Sequence, residues 1–149
     1  MKDSGCALGV FLFLPLMRTF LLLLILSLSS LGSYAQLDFF EGTYEEAQAL
    51  GLSEGKLLFL DFYADWCMPC KQMERYGFRD KEFAQMISAD FIAYKVDVDM
   101  FAGMDVAEAF KVTKYPTLIV SDAKGKEKKR LVGYQTAEEL KELVKGYVK

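Results

Sequence analysis

The sequence contains no histidine, and only three of its 149 residues are cysteine. A structural zinc site takes four ligands, usually two cysteine pairs or cysteines combined with histidines. With one Cys-X-X-Cys pair, Cys67 and Cys70, and no imidazole, such a site could form only by sharing pairs between chains, so no metal is expected. The third cysteine, Cys6, falls in an N-terminal leader. There is no disulfide framework to read, and a chain of this length buries enough core to fold without one. Positive charge is also in short supply, with 18 basic against 21 acidic residues and a net charge of −3. A mildly acidic chain is poorly suited to the phosphate backbone, which argues against nucleic acid as a partner. Internal repeats, low-complexity tracts and linkers beyond the leader are absent too.

What is present begins with that leader. Lys2 and Arg18 are the only basic residues before Gln36, Phe20 to Leu26 is unbroken apolar sequence, and Ser33-Tyr34-Ala35 places small residues where a signal peptidase reads them. The expectation is a signal peptide over residues 1–35, cleaved after Ala35, with Met17 as an alternative start. The competing reading is an uncleaved anchor, because Thr19 to Leu37 carries no charge and approaches the length of a spanning helix; Ser27, Ser29, Ser30, Gly32 and Ser33 weaken it. Either reading places the domain outside the cytoplasm, periplasmic or secreted. Cys6 precedes the apolar run instead of closing it, which speaks against a lipoprotein.

From residue 36 onward the pattern is that of one α/β domain. Thr43-Tyr44-Glu45-Glu46 and Thr136-Ala137-Glu138-Glu139 are capping boxes, each predicting a helix start; Gly55 ends the first helix. Lys56 to Tyr63 is almost wholly apolar and reads as a strand buried on both faces. A helix opens at the cysteine pair, is kinked at Gly77 and continues behind Asp80 to about Ser88. Phe91 to Val98 reads as a strand, Asp105 to Phe110 as a short helix, and Thr117 to Val120 pairs with Lys128 to Val132 across a turn at Lys124-Gly125. The predicted order is β-α-β-α-β-α-β-β-α, a mixed central sheet with helices on both faces.

Two cysteines three residues apart can staple a fold, hold a metal or exchange electrons. So short a loop restrains the unfolded chain little, which leaves a staple without much purpose. Placement favours electrons. Cys67 stands where a strand gives way to a helix, so unpaired backbone N–H groups and the helix dipole would stabilise its thiolate. Helical spacing puts Cys70 beneath it on the same face, with Cys67 expected to be the exposed thiol and Cys70 the buried one.

The segment Asp61-Phe62-Tyr63-Ala64-Asp65-Trp66-Cys67-Met68-Pro69-Cys70-Lys71 closely resembles the active-site segment of thioredoxins, and Tyr115-Pro116-Thr117 looks like the cis-proline loop of that family. Gly133 lies where a glycine follows the last strand. The likeness covers about Leu37 to Lys149. Tyr63-Ala64-Asp65-Trp66-Cys67, Cys70-Lys71, Glu74, Tyr76, Phe78 and Asp80 are similar to the C-terminal periplasmic domain of transmembrane thiol:disulfide interchange reductases, a likeness that continues through Asp122 to Glu127 and Gly133-Tyr134.

The resemblance implies a thioredoxin fold over residues 36–149 and a protein-disulfide reductase, with Cys67 as nucleophile and Cys70 as resolving thiol. Asp61 would be a buried acid exchanging protons with Cys70, with Lys95 as its charge partner. Trp66 would shield the site and help dock substrate, and Tyr115 would offer backbone to a substrate peptide beside a cis Pro116. Cofactors would be none beyond the redox-active Cys67–Cys70 disulfide. Partners would be protein disulfides and a membrane thiol-reductase electron donor on another chain, with the protein itself a monomer. Oxidising members of the superfamily commonly carry histidine between the cysteines; Met68-Pro69 supplies no such charge, which favours a reductant. A net oxidase or isomerase, or a non-catalytic binding module on the same fold, stays open. Two departures stand out, Met68 in place of a small residue and Tyr115 bulkier than usual before the proline.

Overall fold

A computed structural model describes residues 36–148. The leader, its cleavage site and the alternative anchor lie outside the described residues. Among the described residues, no helix is long and apolar enough to cross a membrane.

Both capping boxes close as the sequence predicts. At the start of α1 (Tyr44–Glu54) the Thr43 N–H donates to Glu46 Oε2 at 2.8 Å, and the Glu46 N–H returns to Thr43 Oγ1 at 3.2 Å. Gly55 ends that helix in the left-handed region at φ 64°. Thr136 and Glu139 repeat the arrangement ahead of α5 (Ala137–Val144). Between them run β1 (Leu57–Tyr63), α2 (Met68–Tyr76), α3 (Lys81–Asp90), β2 (Phe91–Asp97), α4 (Phe101–Ala109), β3 (Thr117–Ser121) and β4 (Glu127–Val132). The sheet order is β2-β1-β3-β4, with β1 parallel to β2 and antiparallel to β3, and β3 antiparallel to β4.

Alternation along β1 sends its side chains into two cores. Leu58, Leu60 and Phe62 meet Ala47 of α1 and Val106 and Ala107 of α4. Phe59 points the other way, onto Met73, Phe78, Phe83, Ile87 and Leu140. Helices on both faces make β1 a central strand buried from Leu58 to Phe62, which explains its lack of polar alternation. Asp61 shares the face of Phe59. A carboxyl is therefore built into the middle of an otherwise apolar strand, 2% exposed.

Three expectations need correction. Among the described residues no strand precedes α1: residues 36–40 are irregular, tied by the Leu37 N–H to the Phe78 carbonyl and the Phe40 N–H to the Ala93 carbonyl, too few bonds for a ladder. The helix from the cysteine pair does not kink at Gly77 but stops there, and Asp80 Oδ1 starts a separate α3 by accepting from the Phe83 N–H at 2.9 Å. The turn between them drives Phe78 into the core at 2% exposure, which a continuous helix would not do. Finally, α4 begins at Phe101 instead of Asp105, because Gly103 lets its first turn lie directly on the backbone of Asp97.

Candidate active site

Cys67 is the N-cap of α2, Pro69 sits in its first turn, and the Cys70 N–H points at Cys67 Sγ at 3.2 Å. Pro69 fits there because the first turn has no intrahelical use for its missing N–H. The sulfur thus occupies the position an Asp or Ser oxygen takes in an ordinary cap, where an N–H donor and the helix dipole both favour negative charge. Cys67 and Cys70 are joined as a disulfide with Cα atoms 5.3 Å apart. The expected contrast in exposure is not found, since Cys67 is 4% and Cys70 5% exposed. Ala64 packs with both cysteines, and Tyr63, Val98 and Tyr115 close over the cluster.

Beneath the pair lies Asp61. Burial pushes its carboxyl up from 3.8 to about 7; Lys95 pulls it back and Glu74 pushes it further up. Its Oδ1 is buried with no hydrogen-bond partner among the described residues. A small cavity of about 40 Å³, lined by Asp61, Cys70, Glu74 and Lys95 among others, adjoins it. That is room for a water molecule to link the carboxyl with the helix. Lys95 is the ladder partner of Asp61 across β1 and β2, yet its ammonium pairs with Glu74 Oε1 at 2.9 Å and sits over the rings of Tyr63 and Phe39, at 4.9 and 5.2 Å. Its effect on Asp61 is therefore that of a nearby charge, without a direct bond. Glu74, to which the sequence reading gave no role, is the third member of this group. Its place four residues after Cys70, on the same helical face, was the available signal.

Trp66 lies over the entrance, 68% exposed, edge-on to the Tyr115 ring at 6.0 Å. Asp99 holds it there: Oδ1 accepts from Trp66 Nε1 and Oδ2 from the Asp65 N–H, both at 3.1 Å. Sequence reasoning passed over Asp99 altogether, because nothing short of the fold places it 33 residues away against the tryptophan. The Tyr115–Pro116 bond is cis, and the Pro116 carbonyl accepts from the Gly133 N–H at 2.8 Å. At φ 92° Gly133 holds a backbone shape that other residues avoid. The structure therefore brings Asp61, Trp66, Cys67, Cys70, Lys95, Tyr115 and Pro116 to one end of the sheet.

Residues 44–147 match the model of the thioredoxin-like domain. The chain belongs to the thioredoxin-like family. It is 37% identical over 94 residues to the thiol:disulfide interchange protein DsbD of Salmonella typhi, covering 60% of this chain but only 16% of that protein. Among solved structures, the oxidised C-terminal domain of DsbD from Neisseria meningitidis is 26% identical with a TM-score of 0.58, over 68% of this chain and 90% of that domain. A thioredoxin from Thermus thermophilus matches at 29% identity and a TM-score of 0.65, over 74% of this chain and 87% of the other. This thioredoxin-like chain thus carries the disulfide of a thiol:disulfide oxidoreductase family, while spanning about a sixth of the curated relatives it matches.

Proposed function

We propose that this protein is a periplasmic or secreted thiol:disulfide oxidoreductase that reduces protein disulfides through Cys67 and Cys70. The observation that carries the reading is Cys67 Sγ at the N-cap of α2, facing the N–H of Cys70, which shares a small cavity with a buried carboxyl. In the forward step the Cys67 thiolate attacks one sulfur of a substrate disulfide, forming a mixed disulfide and releasing the other substrate sulfur as a thiolate that takes up a proton. Cys70 gives its proton to Asp61 and, as thiolate, attacks Cys67 Sγ. The second substrate sulfur leaves, two electrons have passed to the substrate, and the Cys67–Cys70 disulfide seen here remains. Asp61, neutral at low pH and titrating near 7, is suited to take up and return that proton, with Lys95 and Glu74 setting how readily it does so.

Trp66 and Tyr115 frame the approach to Cys67, and Tyr115 would offer its backbone to a substrate peptide there. A reductant outside the cytoplasm needs a source of electrons, so the oxidised pair is recharged by a membrane thiol-reductase on another chain. The apolar leader and the likeness to the DsbD C-terminal domain support this placement. The protein works as a monomer, with no cofactor beyond the dithiol and no nucleic acid partner.

Trapping tests the reading. Reduced Cys70→Ser protein mixed with insulin is expected to accumulate a covalent adduct that dithiothreitol dissolves, whereas Cys67→Ser forms none. Absence of an adduct with Cys70→Ser, or equal adducts from both variants, would remove Cys67 from the nucleophile's role.

A further inference from the structure

The first turn of α4 breaks the rules that the other helices follow. Met100 is its N-cap and makes no side-chain hydrogen bond, where Ser, Thr or Asp would add about 1 kcal/mol. The same turn turns large apolar side chains to water, with Phe101 87%, Met100 62% and Met104 51% exposed. None of these three side chains joins a hydrophobic core cluster, and local rules broken without such a return mark functional surface. Asp99 precedes the turn and ties it to the redox loop through its two bonds to Trp66 and Asp65. Trp66 and Met68, 68% and 62% exposed, flank Cys67. Two exposed apolar groups are thus pinned together by one carboxylate, one of them bordering the disulfide.

We infer that Trp66, Met68, Met100, Phe101 and Met104 form one docking strip for a redox-partner protein whose cysteine pair is bordered by apolar residues with a basic rim. The inference rests on the thiol-exchange reading above and specifies the partner. Continuity with the disulfide is the first reason: Cys67 is almost wholly buried, and its sequence neighbours Trp66 and Met68 are exposed, so a partner whose sulfur reaches Cys67 meets them. Charge is the second. Asp97, Asp99, Asp105 and Glu108 are the charged residues between Val96 and Phe110, with no lysine or arginine among them. The α4 segment of the strip carries carboxylates alone, which favours an apolar face edged by cations over an acidic one. Flexible methionine thioethers on either side of a rigid aromatic suit a surface that must repack around its partner.

Single-turnover rates on defined probes test this, using the full chain in reduced form. Three synthetic peptides carry the same Cys-X-X-Cys disulfide with about six flanking residues on each side, roughly 20 Å of extended chain. The flanks are Leu and Lys, Leu and Glu, or Ser and Gly. The Leu/Lys peptide is expected to react about tenfold faster than the others, and Phe101→Ser/Met104→Ser to lose that preference while reacting normally with oxidised glutathione. Equal rates on all three peptides, with glutathione still reduced, would overturn the docking strip and leave the redox reading standing. Failure on glutathione and peptides alike would remove both. Sedimentation of the parent as a dimer that Phe101→Ser/Met104→Ser dissolves would give the strip to a second copy and overturn the inference as well.

Discussion

Asp61→Asn in the oxidised protein is expected to gain roughly 4 kcal/mol of stability relative to the parent between pH 4 and pH 8, read from the shift in denaturant midpoint at each pH. The sign follows from where the carboxyl titrates. In the unfolded chain it ionises near 3.8 and in the folded protein near 7, because β1 removes it from water. Below about pH 4 it is protonated in both states and contributes no pH-dependent term. As the pH rises towards 7 the unfolded chain ionises freely while the folded one holds its proton, so the parent loses stability. Above 7 the loss is complete. An amide of the same shape cannot ionise, and any cost of burying it is the same at both ends of the range. A variant and parent that differ equally at pH 4 and pH 8 would show that Asp61 does not titrate where burial places it. The same substitution removes the proposed proton acceptor for Cys70 and is expected to slow disulfide release about a hundredfold, with the defect greatest near neutral pH.

Gly103→Ala is expected to destabilise the protein by about 3 kcal/mol and to disturb Trp66 although it touches no residue of the redox pair. A Cβ at position 103 would stand 1.8 Å from the Asp97 carbonyl oxygen and 2.6 Å from its carbon. Both are backbone atoms of β2 and its exit, so no rotamer change relieves the overlap. Either α4 lifts away or the turn from Asp97 to Met100 shifts. Asp99 lies in that turn, its N–H bonded to Asp97 Oδ1 at 2.9 Å. Moving it releases Trp66 Nε1 and the Asp65 N–H together. Chemical unfolding should therefore show a lower midpoint, and Trp66 fluorescence, from the single tryptophan of the chain, should change in the folded baseline. An unchanged baseline with a lowered midpoint would mean that the Asp99 bonds do not depend on how α4 is seated.

These two residues mark what the sequence revealed and what it hid. Asp61 was legible because a carboxyl in a run as apolar as Leu57 to Tyr63 contradicts its surroundings, and the pair at 67 and 70 told which surroundings mattered. Thr43 and Thr136 were legible because a capping box is local, complete within four residues. Gly103, Asp99 and the start of α4 were not. Their roles depend on contacts between segments, and the segment from Met100 to Met104 carries no cap to announce a helix. Lys95 was half legible: its strand and its closeness to Asp61 were foreseen, but its ion pair with Glu74 needed α2 to be laid over β2. The separation of α2 from α3 was hidden for the same reason, since the burial of Phe78, not the flexibility of Gly77, decides it.

The measurement closest to the central claim is the equilibrium reduction potential of Cys67–Cys70 against glutathione buffers. A reductant recharged from the membrane should give about −250 mV or lower, as expected for a pair whose thiolate gains the helix N-terminus but no intervening histidine. A value of about −150 mV or higher would contradict it, and the same pair would then act on its partners as an oxidant.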